Sequence, residues 1–307
     1  MNQSLLFFNH HLDTQWKQSA TIIAAGNRLD QLSGPCSVVV DDQNQMIYIA
    51  DYDNDRVVEW RLDTNNARIV AGGYGQGNRL DQLNRPTNVI IDRQNNHLII
   101  VDLGNRRVMR SSPQFNSSAR TIIDNIDCLG LTMHKDGSLY VSDYKKNEIR
   151  RWKKGETQGT IVAGGNGRGN QPNQLDCPTF LFIDVDHTLY ISDRDNHRVM
   201  KWVKDAKEGI VVAGGNGAGD RLTQLSHPEA VKLDQYGRIY VADCDNDRLV
   251  RWCEGVKEGR IVVGGNGEGQ QKNQLSGPVG LSIDDEGNLY VANSGNDRIQ
   301  KFNRDEN

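Results

Sequence analysis

IYVADCDNDRLVRW, residues 239–252, holds two runs of strand-forming residues around a polar centre. The runs IYVA and RLVRW are rich in Val, Ile, Leu and aromatic residues, which suit a pleated, half-buried surface. The centre, DCDND, spaces three aspartates as the start of a calcium loop does, where several carboxylate oxygens converge on a hard cation. The pattern returns at 47–60 as IYIADYDNDRVVEW. The stretch is therefore either a metal site or a structural unit used more than once.

Aligned copies decide between these. Four more follow the same frame: LIIVDLGNRRVMRS (98–111), LYVSDYKKNEIRRW (139–152), LYISDRDNHRVMKW (189–202) and LYVANSGNDRIQKF (289–302). The aligned Asp or Asn is residue 51, 102, 143, 193, 243 and 293, with spacings of 51, 41, 50, 50 and 50. By length alone, 307 residues suggest two domains. Six registered copies exclude that division. Each contains four short strand-like runs separated by Gly, Asp and Asn turns, as at 179–183, 188–192, 198–202 and 209–213. Four antiparallel strands repeated six times predict an all-β, six-bladed propeller. The last copy lacks its outer strand. ATIIAA (20–25), which matches GTIVAG (159–164), is predicted to supply it and close the ring. Residues 1–19 are an N-terminal extension, 20–303 the propeller and 304–307 a C-terminal tail.

The pattern GPxxLxxDxxGxLYVADxxNxRVxxW, clearest at 277–302 and 227–252, resembles the NHL-repeat family of six-bladed propellers over about residues 20–303. The resemblance implies fold strongly and activity weakly, because one fold hosts many functions. Members occur in ubiquitin ligases, RNA-binding translational repressors, bacterial sensor domains and an amidating lyase, and related six-bladed folds include lactonases. It also implies that the binding face carries the inter-blade loops and the turns between second and third strands.

The copies answer the calcium question. The first Asp recurs at Asp51, Asp102, Asp143, Asp193 and Asp243, with Asn293 in the sixth copy. An Asn follows three residues later (54, 105, 196, 246, 296) and an Arg five later (56, 107, 198, 248, 298). The second and third aspartates do not recur, and Arg stands where a calcium loop needs glycine. Asp, Asn and Arg are expected to build a turn, the carboxylate holding the guanidinium. Asp53, Asp55, Asp245 and Asp247 are expected to place negative charge on the binding face. The aromatics Trp60, Trp152, Trp202, Trp252 and Phe302 are expected to pack between blades.

Function is sought where the copies differ. Long inter-blade loops such as GGNGRGNQPNQLDCP (164–178) space glycines like a phosphate-binding loop, but neither Lys-Ser/Thr nor a helix pattern follows. Their ends are heterogeneous and should ring the channel mouth. The candidate ligand-binding residues there are Arg85, Asn88, Asp127, Cys177, His227 and Glu229. Cys177, His227 and Asp127 suggest a thiol nucleophile or a zinc site. Asn88, Asp127 and Glu229 suggest a divalent cation held as in lactonases. Only His227 of the histidines belongs to this ring, while His97, His134 and His187 fall on the opposite face, against the amidating lyase's chemistry.

Copy three breaks the frame. The long loop before it is absent, and Lys146 and Glu148 replace the Asn and Arg, so a notch is predicted between blades 2 and 3. Residues 104–154 hold 11 Lys and Arg against 5 Asp and Glu, in a chain of net charge −4. Arg106, Lys145 and Lys146 complete the candidate site as a docking patch for an acidic peptide, a phosphate-bearing ligand or RNA. Overall acidity and the lack of an aromatic stacking cluster disfavour RNA.

These readings favour a non-catalytic, monomeric, soluble module that binds a protein or ligand without a cofactor. The alternatives are a metal-dependent lactonase-like hydrolase and an RNA-binding propeller. No apolar run reaches the roughly 18 residues of a membrane helix, and Leu5 to Phe8 is shorter than a secretory core. Five cysteines without a CxxC point to a reducing compartment, the cytoplasm, while sequons at Asn2 and Asn116 leave secretion open.

Overall fold

A computed structural model describes residues 15–25, 31–112 and 119–305. Leu5 to Phe8 and both sequons lie outside these. Six four-stranded antiparallel sheets form the six predicted blades. Blade 1 runs from the inner strand Pro35–Asp41 through Met46–Asp51 and Arg56–Arg61 to the outer strand Ala67–Gly72. Blades 2 to 5 repeat this order over 86–124, 128–164, 178–214 and 228–264. Blade 6 has Pro278–Ile283, Leu289–Asn293 and Arg298–Phe302, and its outer strand is Thr21–Ala24. Thr21 lies opposite Lys301 and Ile22 opposite Gln300, so the N-terminal strand closes the ring as predicted.

The second strands are near-continuous apolar runs buried along their length, as in IYVAD at Ile239–Asp243, and their side chains meet those of neighbouring blades. Trp202, Met200 and Ile191 of blade 4 pack on Tyr140, Ile149 and Ala163 of blade 3. Trp60 of blade 1 packs likewise on Tyr290, Ala292 and Ile299 of blade 6. The recurring aromatic is the inter-blade wedge expected from sequence.

The long loops are part of this core. Leu32, Leu83, Leu175, Leu225 and Leu275, one from each loop, are at most 1% exposed and lie in the clusters joining two blades. The Asp-Asn-Arg motif holds these loops down. Arg198 donates from Nε to Asp193 and from its terminal nitrogens to the carbonyls of Asn170, Gln171 and Gln174. Asn196 bridges Asp193 and the Gly169 carbonyl, and Asp193 accepts the Asp176 backbone N–H. Blades 2 and 5 repeat the three-carbonyl clamp through Arg107 and Arg248.

The extension reaches further into the fold than its place outside the blades suggests. Trp16 is 5% exposed and packs edge-on against Tyr240 at 5.7 Å, while its indole N–H donates to Gly287. Lys17 and Asp305 donate backbone N–H groups to Asn303 and Gln15, tying the extension to the C-terminal tail.

Candidate functional site

The inner strands converge on the axis and nearly close it. A β-carbon on Gly130 would lie 2.6 Å from the Thr179 carbonyl, so only glycine permits this approach of adjacent strands. What remains is a cavity of about 20 Å³ lined by Asn88, Leu131, Phe180, Leu181, Lys232 and Leu281 among others. That is room for about one water. The mouth is therefore a shallow dish over a plug of side chains.

The loop ends around this dish are stapled from blade to blade. The backbone N–H groups of Gly34, Arg85, Cys177 and Gly277 donate to the side-chain oxygens of Asp297, Asp55, Asn147 and Asp247. The His227 N–H donates to Nδ1 of His197. Asp55 and Asp247 are thus structural acceptors rather than bare surface charge. Sequence reading missed the staple, although its column (Asp55, Arg106, Asn147, His197, Asp247, Asp297) is polar in every copy. The stapled residue sits at positive φ throughout: glycine at 34 and 277, but Arg85, Cys177 and His227 at 53°, 51° and 47°. A side chain there costs on the order of 1 kcal/mol.

The candidate residues fall into separate groups. Asp127 accepts both Arg106 donors, at 3.0 and 3.1 Å, and lies 3.1 Å from Lys145 Nζ. Burial opposes its charge, but Lys145 and Arg106 outweigh that and hold its carboxyl below the usual range. Lys146 lies 3.6 Å from Asp143. Arg85 stacks over the Tyr52 ring at 5.7 Å. Asn88 points into the plugged channel, where its Nδ2 donates weakly to Ser37 Oγ at 3.4 Å.

On the other side of the mouth, Glu229 pairs with Arg194 at 2.9 Å, and Arg194 also holds Asp195. Burial pushes the Glu229 carboxyl up to about 7, although Arg194, Thr179 and His227 pull the other way. His227 Nδ1 contacts Asp245, and its ring meets His197 at 4.7 Å. Cys177 is raised to about 11 and Cys244 to about 12, first by burial and then by neighbouring carboxylates. These thiols hold their protons, which does not suit a nucleophile. Cys177, His227 and Asp127 thus have different partners, as do Asn88, Asp127 and Glu229.

Among the described residues, one group of three or more His, Cys, Asp or Glu side chains brings its ligand atoms together, within 4.8 Å: His134, Asp136 and His187. It lies on the opposite face, between blades 3 and 4. His134 Nδ1 is 3.1 Å from Asp136, its other nitrogen faces the Val185 carbonyl, and Tyr140 hydroxyl meets His187 Nδ1 at 2.9 Å. Two imidazoles and a carboxylate are a donor set that suits zinc, and sequence spacing gave no sign of it because the histidines belong to different blades. No helix among the described residues is long and apolar enough to cross a membrane.

Solved structures share this fold at low sequence identity. An auxiliary nutrient binding protein from Bacteroides thetaiotaomicron is 15% identical, with a TM-score of 0.72 over 95% of this chain and 73% of that one. A gluconolactonase from Xanthomonas campestris is 13% identical, with a TM-score of 0.67 over 93% and 89%. Virginiamycin B lyase from Staphylococcus aureus is 11% identical, with a TM-score of 0.62 over 95% and 99%. No curated protein matches the sequence. The NHL-repeat profile matches residues 275–302, the sixth copy, whose frame the other five blades repeat. With six such copies folded into six four-stranded blades, the chain belongs to the NHL-repeat six-bladed β-propellers.

Proposed function

We propose that the chain is a non-catalytic binding propeller whose loop face takes an acidic protein or peptide partner. One observation carries this reading: Arg106 and Lys145 share the single carboxylate of Asp127. Their side chains remain 49% and 60% exposed, so the sector keeps excess positive charge beside the exposed Arg85. Tyr52 and Tyr144 lie under Arg85 and Lys145, and Tyr and Arg are the residues that anchor interfaces. The plugged channel favours a surface partner over a deeply enclosed substrate.

The alternative, a lactonase-like hydrolase, would use Glu229, the one candidate carboxyl raised to about 7. Selection of short peptides displayed on phage separates the two. Acidic sequences should be enriched, and their binding should be lost in Arg85→Glu, Arg106→Glu and Lys145→Glu but kept in Lys207→Glu. Failure to enrich acidic peptides would overturn the reading. So would metal-dependent hydrolysis of gluconolactone that Glu229→Ala abolishes.

A further inference from the structure

Blades diverge from the axis, so the gap between neighbours widens outward. The long loops fill it: Pro172 accepts the Gly209 N–H, Leu222 the Gly259 N–H and Lys272 the Ala20 N–H, each at the start of the next outer strand. Between blades 2 and 3 only residues 125–127 connect the strands. Ile126 takes the place of the loop leucine, 3% exposed, and Gly159 instead receives the Arg150 guanidinium on its carbonyl. The predicted notch is therefore a wedge that its own connection does not fill. It forms a cavity of about 530 Å³, the size of a site for one small organic ligand, opening on the side away from the loop face.

The lining carries four cations against three carboxylates, and the two sets differ in whether they are engaged. Arg110, Arg120, Lys153 and Lys154 border the cavity, and among the described residues none of the four side chains has a hydrogen-bond or ion-pair partner. The Nε of Arg110 is buried as well as unpartnered. The three carboxylates on the rim are already engaged: Asp92 by Asn95, Asp136 by Ser138 and His134, Glu156 by the Lys153 N–H. Behind the cations lie Ile99, Ile122 and Trp152. Guanidinium forks match phosphate oxygens, and the apolar wall accepts an organic group.

We infer that this unfilled wedge between blades 2 and 3 binds a phosphate-bearing small organic molecule through Arg110, Arg120, Lys153 and Lys154. Its volume holds a single compact ligand, and the chain's overall negative charge opposes an extended polyanion. Calorimetric titration of the full chain with phenyl phosphate tests this, with benzyl alcohol as the uncharged comparison. Saturable one-to-one binding is expected, weakened by about tenfold or more in Arg120→Gln/Lys154→Gln. The same affinity should persist in Lys257→Gln, which removes a cation from the matching turn of blade 5. Absence of saturable binding would overturn the inference. So would equal binding of benzyl alcohol, an unchanged affinity in the double variant, or binding of single-stranded RNA with none of phenyl phosphate.

Discussion

Arg198 Nε and Asp193 Oδ2 lie 2.6 Å apart, with side chains 8% and 0% exposed. A buried pair of this kind is stable only when the remaining donors are satisfied. Here the loop carbonyls of Asn170, Gln171 and Gln174 do that. The clamp therefore needs a loop, and the loop needs the clamp. Blade 3 lacks both, which explains why Lys146 and Glu148 occur where the 41-residue spacing does.

Arg198→Ala leaves Asp193 buried without its cation and takes the guanidinium donor away from three loop carbonyls. It should destabilise the chain by about 3–5 kcal/mol. The reverse change in blade 3, Glu148→Arg, restores the arginine opposite Asp143 without the loop and should bring no gain. Urea midpoints of the two variants check both outcomes, and a stabilised Glu148→Arg would count against the clamp.

Glu229 gives stability a pH dependence. Its folded-state carboxyl is raised to about 7 by burial from an ordinary 4.5. A raised acid favours the folded state below the unfolded value, and that contribution is lost as pH rises through the folded one. Stability should therefore fall between about pH 4.5 and 7, by on the order of 3 kcal/mol for this group. Glu229→Gln should flatten the curve in that window. Denaturation at stepped pH measures it, and parallel curves for the two proteins would contradict the assignment.

How much was legible follows from what repeats. Blade count, strand order and ring closure could be read because six copies share one frame. The missing clamp and missing loop in copy three could be read together for the same reason. The pairing of Arg106 and Lys145 with Asp127 could not, because it joins two blades where the frame is broken. Nothing in the repeat frame distinguishes Arg110, Lys153 and Lys154 from other charges on the third strands and their turns. Their meaning depends on the sideways path of a loop, which no local pattern encodes. The His134, Asp136 and His187 group was hidden for a related reason, since blades 3 and 4 bring together histidines 53 residues apart (187 − 134).

Among the blade-to-blade staples described, the one at His197 has an imidazole as its acceptor. Its Nδ1 accepts the His227 N–H at 3.2 Å and cannot do so once protonated. Burial, then His227, lowers its pKa from 6.5. A lowered base contributes stability above the unfolded value, and that is lost as pH falls from about 6.5 through the folded one. Asn147 makes the equivalent staple in blade 3 without titrating. His197→Asn should therefore lose less stability than the parent chain on acidification below about pH 6.5. Equal losses would show that the staple does not depend on the lone pair.

Trp16 closes the gap between blades 5 and 6 from outside the repeat. It is 5% exposed, belongs to the cluster of Tyr240, Leu289 and Phe302, and donates to Gly287. Its removal leaves a cavity and an unmatched carbonyl together. Trp16→Ala should cost about 3–5 kcal/mol, as large-to-small changes at buried aromatics do. Trp16→Phe keeps most of the volume but loses the N–H, and should cost clearly less. Guanidinium unfolding of both variants against the parent reads the difference. A negligible effect of Trp16→Ala would mean that the extension only rests on the ring, and that the strand Thr21–Ala24 alone is enough to close it.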